Sequence, residues 1–63
     1  MNAQQIQESA KYMAQLLLAS NIDLSDLEAA ITAQMESNIA LNDKYENDDA
    51  FATKYNKEVL RTL

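Results

Sequence analysis

The sequence contains no glycine and no proline. Turns between β-strands depend heavily on these two residues, so their absence argues against a β-sheet protein. Alanine, leucine, glutamine, glutamate, lysine and methionine, which are strong helix formers, dominate instead. The few β-branched residues do not alternate along the chain as they would in strands. The composition therefore predicts an all-α fold.

Cysteine and histidine are also absent. Without them, disulfides and a structural zinc site are essentially excluded, and the commonest catalytic base and nucleophiles are missing. The lack of glycine also removes the phosphate-binding loops of nucleotide-dependent enzymes. We therefore expect no catalytic residues, no metal site and no cofactor, and a function that is not enzymatic.

Charge is unbalanced, with ten acidic residues against five lysines and arginines and a net charge of −5. This balance argues against direct binding to nucleic acid phosphates or to anionic membranes. No apolar run approaches the roughly 18 residues that span a bilayer, and the first residues do not resemble a signal peptide. The sequence predicts a cytoplasmic protein.

The chain has 63 residues, which predicts a single domain over 1–63. A domain of this size buries only about 60% of the surface that its unfolded chain exposes, so its core is marginal. Since no disulfide or metal can compensate, well-packed helices or oligomerisation must supply the missing burial. A homodimer or a complex with a protein partner is therefore expected.

The first predicted helix covers residues 3–20. Asn2 can cap it, and Gln5 completes a capping box three residues later. Asn21 is the best available residue for a left-handed helix end, which would fold Ile22 back onto Leu17. The core positions follow a three-four spacing typical of a helix packed against another helix: Ala3, Ile6, Ala10, Met13 and Leu17.

The second predicted helix covers residues 26–42. Ser25 and Glu28 have the spacing of a capping box at its start. The connection between the two helices is short, which predicts that they form an antiparallel αα-hairpin. The apolar side of the second helix is predicted to consist of Leu27, Ile31, Met35 and Ile39.

Residues 42–49 have poor helix propensity, which predicts a break with Asn47 or Asp48 capping a third helix at 49–62. The prediction is thus a small three-helix domain. An alternative is a two-helix hairpin with one long, bent second helix, because apolar spacing continues from Leu41 through Tyr45 to Val59.

The segment from residue 21 to residue 49 holds eight acidic residues and one lysine. It does not fit a calcium-binding loop, because Asp48 stands where glycine is needed and Lys54 where the last glutamate is needed. Capping and solubility explain the acids better, but an acidic surface can also attract a basic partner. We define the candidate acidic surface as Asp43, Glu46, Asp48 and Asp49.

Leu16 and Leu18 flank the core residue Leu17, so one of these flanks is expected to stay exposed beside Tyr12 or Met13. Tyr45 lies in the acidic stretch, and tyrosine is common at interfaces. These four residues are the candidate interface. The sequence therefore predicts a regulator, inhibitor or adaptor that binds a larger protein. Its alternatives are a structural protein that associates with itself and an acidic mimic of nucleic acid.

Overall fold

The computed structural model describes residues 1–21 and 23–63, and it places four helices and no strand in them. The helices are α1 (Ala3–Ala19), α2 (Leu27–Met35), α3 (Ile39–Asn47) and α4 (Asp49–Thr62). The all-α prediction is confirmed. The predicted first and last helices agree closely with α1 and α4, whereas the middle of the chain forms two short helices instead of one.

Both ends of α1 follow from its local sequence. The Asn2 side chain accepts a hydrogen bond from the Gln5 N–H at 2.8 Å, and the Gln5 side chain accepts one from the Asn2 N–H at 2.9 Å. This confirms the predicted capping box. Asn21 has a φ of 53°, the left-handed conformation expected after the helix end. The predicted contact of Ile22 with Leu17 lies outside the described residues.

The prediction that Ser25 caps the second helix is wrong, because Asp26 is the cap. The Asp26 side chain accepts a hydrogen bond from the Ala29 N–H at 3.1 Å. The Ser25 N–H instead donates to Asp23 Oδ1 at 2.9 Å, and this bond lowers the pKa of Asp23. Serine and aspartate are both good caps, so the Asp23 turn decides which of them begins the helix.

Substitution at these two neighbouring positions tests the corrected start of α2. Asp26→Ala should lower the free energy of unfolding by about 1 kcal/mol, because the Ala29 N–H loses its acceptor. Ser25→Ala should have a smaller effect, since alanine keeps the backbone N–H that donates the main hydrogen bond of the turn to Asp23. Urea denaturation followed by circular dichroism measures both. An equal loss in the two variants would contradict the assignment.

The predicted helix over 26–42 is also wrong, because the chain leaves helical structure at Glu36–Asn38. Asn38 caps α3, and its side chain accepts a hydrogen bond from the Leu41 N–H at 3.2 Å. Asparagine competes with helical hydrogen bonding, which makes it a weak helix residue and a good cap. The interruption removes the alternative of one long helix as well.

The predicted break over residues 42–49 is confined to Asp48. Helix α3 continues to Asn47, and Asp48 has an extended backbone with φ of −129° and ψ of 96°. Its side chain accepts a hydrogen bond from the Phe51 N–H at 3.1 Å, as predicted for a cap of the last helix. A single extended residue is therefore sufficient to redirect the chain between α3 and α4.

The core joins all four helices, with α1 packed most extensively against α4. The packing of α1 against α2, the pair predicted to form a hairpin, is less extensive, and α2 has only 9 residues where α4 has 14. Tyr55 lies at the centre, with its ring centroid 6.0 Å from that of Tyr45 and 5.8 Å from that of Phe51. The buried side chains are Ile6, Ala10, Met13, Ala14, Leu17, Ala30, Ile31, Met35, Tyr45, Phe51, Tyr55 and Val59.

Candidate interaction groove

Two adjoining concavities, of about 380 and 320 Å³, lie between α1 and the α2–α3 turn. They share Ser9, Asn38 and Leu41, so they form one depression, which we call the α1–α3 groove. Ser37 and Asn38, from the break between α2 and α3, line it opposite α1. The other lining residues are Met1, Tyr12, Met13, Leu16, Gln34, Met35, Ser37, Ala40, Lys44 and Tyr55.

The groove has an apolar floor and a rim of neutral polar groups. Met13, Met35 and Tyr55 are buried beneath it. The Tyr55 hydroxyl and Ser9 Oγ are hydrogen bonded at 2.9 Å, and burial raises the pKa of Tyr55, so the phenol is neutral at physiological pH. Such a surface favours apolar and hydrogen-bonding contacts over ionic ones.

Two of the four candidate interface residues meet at this groove. Tyr12 is 64% exposed at the rim, and Leu16, one helical turn away, is partly buried. Leu18 is 60% exposed but does not line the groove. Of the two leucines that flank Leu17, the exposed one is Leu18, but it lies about 120° around α1 from Tyr12 and not beside it, whereas Tyr12 and Leu16 share the concave surface.

Tyr45, the fourth candidate interface residue, points into the core. It is only 3% exposed, and its hydroxyl donates a hydrogen bond to Asn56 Oδ1 at 2.6 Å. Burial raises its pKa, and the nearby carboxylate of Glu28 adds to the shift. The acidic neighbours of Tyr45 in the sequence suggested a surface position. Since α3 is helical there, Tyr45 faces the core, whereas Asp43 and Glu46 lie about 160° and 100° around the helix from it and are exposed.

The candidate acidic surface is divided among different roles. Asp48 caps α4 and lies 3.6 Å from Lys44 Nζ, and the Phe51 N–H, more than Lys44, lowers the pKa of its carboxyl. Asp43 Oδ1 accepts a hydrogen bond from Asn47 within α3. Glu46 instead joins Asp26 and Glu28 around a concavity of about 460 Å³.

Asp49, the remaining member of the acidic surface, is exposed in the first turn of α4. Its negative charge there is favourable because of the helix dipole. The structure therefore assigns Asp48 and Asp49 to the beginning of a helix. The acidic concavity combines one candidate, Glu46, with two residues from the beginning of α2.

Several groove residues were not predicted from the sequence, among them Ser9, Gln34 and Leu41. They come from three helices, and no local pattern connects them. Asn38 is the one residue that could have indicated the groove. A weak helix former between Met35 and Ile39 marks the break that brings α3 towards α1.

None of the helices within residues 1–21 and 23–63 has the length and apolar content to cross a bilayer. In the same part of the chain, no three acidic side chains are arranged to hold a metal ion. Comparisons with protein-family models, curated proteins and solved structures find no match to this chain.

Proposed function

We propose that the chain is a non-enzymatic interaction protein that binds a helix of a larger protein in the α1–α3 groove. The observation that carries this proposal is the position of Tyr12, a large side chain left 64% exposed at the rim of a depression with an apolar floor. Tyrosine combines a large apolar ring with one polar group, and it is enriched among residues that dominate binding energy. Such a protein acts as a regulator, inhibitor or adaptor by covering a surface of its partner.

The shape and polarity of the groove support a helical ligand. The groove follows α1 from Ser9 to Leu16, a distance of about 10 Å at the helical rise per residue. Amphipathic helices bind in depressions of this kind by inserting side chains spaced three and four residues apart. Ser37 and Asn38 at the opposite edge offer hydrogen-bonding groups to the ligand.

The chemistry of the lining supports binding over catalysis. No carboxylate lines the described groove, and Lys44 at one end is its only amine-bearing side chain. Lys44 is engaged with Asp48 and lies 5.0 Å from the centre of the Phe51 ring. A general acid or base is expected to titrate near neutral pH, and neither tyrosine nor lysine does so unless strongly perturbed.

Peptides selected from a displayed library on the immobilised chain test this proposal. They are expected to be amphipathic helices, and Tyr12→Ser should weaken their binding by at least about tenfold, because it removes the exposed ring. Leu18→Ser is the matched control, since Leu18 is equally exposed on α1 but lies outside the groove. Fluorescence anisotropy gives both dissociation constants. Selected peptides that bind the Tyr12→Ser and Leu16→Ser variants as tightly as the unmodified chain would refute the groove as their site.

A second candidate function, mimicry of nucleic acid phosphates, is favoured by one observation. Asp26, Glu28 and Glu46 surround a common concavity on the α2–α3 side of the molecule. Carboxylates grouped in this way attract a basic protein surface. Binding of this kind would weaken with salt and would be insensitive to Tyr12→Ser, which distinguishes it from binding in the groove.

A further inference from the structure

Helix α1 has a second regular stripe, on the side that the core does not use. Its positions are spaced four, three, four and three residues apart, the same periodicity as the core stripe. Three of the five side chains are exposed and two are partly buried, and none is charged. The stripe consists of Gln5, Ser9, Tyr12, Leu16 and Ala19. This spacing is typical of a helix that packs lengthwise against another helix.

We propose that the free protein forms a two-fold dimer in which this stripe packs antiparallel against the same stripe of a second copy. The inference rests on the proposed binding role of the α1–α3 groove and names its occupant in the absence of a partner. Tyr12, Leu16 and Ser9 belong to both the stripe and the groove. The α1 helix of one copy would therefore cover the groove of the other.

The sequence of the stripe is complementary to itself. Tyr12 lies at its centre, seven residues from Gln5 and seven from Ala19. An antiparallel two-fold axis at Tyr12 brings Leu16, four residues from the axis, close to Ser9 of its partner, three residues from it, which matches a large side chain with a small one. An isologous contact requires this kind of complementarity, because one surface must serve both sides.

Charge also favours this face for self-association. Each copy carries a net charge of −5, so contact through the acidic segment 21–49 would bring like charges together. The stripe has no charged side chain, and no carboxylate lines the described groove. Glu8, one turn from Tyr12, is the nearest carboxylate, and an axis at Tyr12 sets its two copies about 12 Å apart along the helices, so close repulsion between them is avoided.

The surface area available for contact limits the expected affinity of the dimer. The described chain exposes 4238 Å², so a stable interface of about 800 Å² per partner would cover roughly a fifth of it. Helix α1 has 17 residues and is about 25 Å long, which suffices only if the groove rim also takes part. We therefore expect a reversible dimer with a dissociation constant on the order of micromolar.

Sedimentation equilibrium at concentrations from about 1 to 100 µM tests the dimer directly. The unmodified chain should change from monomer to dimer over this range. Tyr12→Glu places two carboxylates at the two-fold axis and should raise the dissociation constant at least about tenfold. Leu18→Glu, a substitution about 120° around the helix from Tyr12, should leave it unchanged. Both side chains are mostly exposed, so both variants should remain folded by circular dichroism.

Cross-linking locates the interface independently, because the chain has no cysteine of its own. Tyr12→Cys should form a disulfide-linked dimer under mild oxidation, since the axis brings the two positions together, whereas Leu18→Cys should not. The proposed dimer is refuted if the unmodified chain stays monomeric at every concentration. It is also refuted if Leu18→Glu abolishes the dimer and Tyr12→Glu does not. If that monomer still binds selected peptides in a Tyr12-dependent manner, the proposed function stands and its ligand is a different protein.

Discussion

Replacing Tyr55 with alanine is expected to leave the chain largely unfolded at 25 °C. Tyr55 is fully buried and contacts both other core rings, those of Tyr45 and Phe51. Removal of a buried aromatic side chain typically costs about 3–5 kcal/mol. In a chain of 63 residues a single core rarely supplies more than about 3–5 kcal/mol of net stability, so this loss removes most or all of it.

Circular dichroism during urea denaturation measures the effect, and two variants serve as controls. Tyr55→Phe keeps the ring and removes only the hydrogen bond to Ser9, so it should cost about 1 kcal/mol. Tyr12→Ala removes a ring of the same type from an exposed position and should change the midpoint little. A Tyr55→Ala variant that is as stable as Tyr12→Ala would contradict the packing described for the core.

Asn42→Leu is expected to stabilise the protein, by about 1–3 kcal/mol. Asn42 Oδ1 is buried, and it accepts no hydrogen bond from residues 1–21 or 23–63. Leucine has a similar branched shape, brings no polar atom into the core, and is a better helix former than asparagine.

The same substitution at Asn56 should have the opposite sign. Asn56 Oδ1 accepts the hydrogen bond from the Tyr45 hydroxyl, and leucine would leave that buried hydroxyl without its partner. We expect a loss of about 1–3 kcal/mol. Thermal melting of the two variants side by side gives the sign of each change in stability. If Asn42→Leu lowers the melting temperature, its side chain has a hydrogen-bonding role that the described contacts do not contain.

The stability predictions also bear on the proposed binding role. Tyr55 and Ser9 form part of the groove, and their hydrogen bond joins α1 to α4 beneath it. Binding to a preformed surface avoids the cost of ordering that surface at the moment of contact. Asn42→Leu is expected to add stability without altering a residue that lines the groove. Tyr12 substitutions can therefore be tested in this stabilised variant.

The sequence by itself determined the features that depend on local chemistry. The absence of glycine and proline and the wealth of helix formers decided the all-α class. The capping box at Asn2, the left-handed Asn21 and the cap at Asp48 were predictable because each depends on hydrogen bonds within a few residues. Phe51, Tyr55 and Val59, the buried residues of α4, lie four residues apart, a helical spacing that is visible in the sequence.

Only the tertiary structure decided which faces meet. Residues 26–42 could have formed one helix by propensity, but the chain breaks at Glu36–Asn38, and α2 and α3 can then contribute Met35 and Tyr45 to the same core. The pairing of α1 with α4 depends on burial summed over residues far apart in the sequence, and no local pattern encodes that sum. The groove arises from the same break, so its lining could not be read from any single segment.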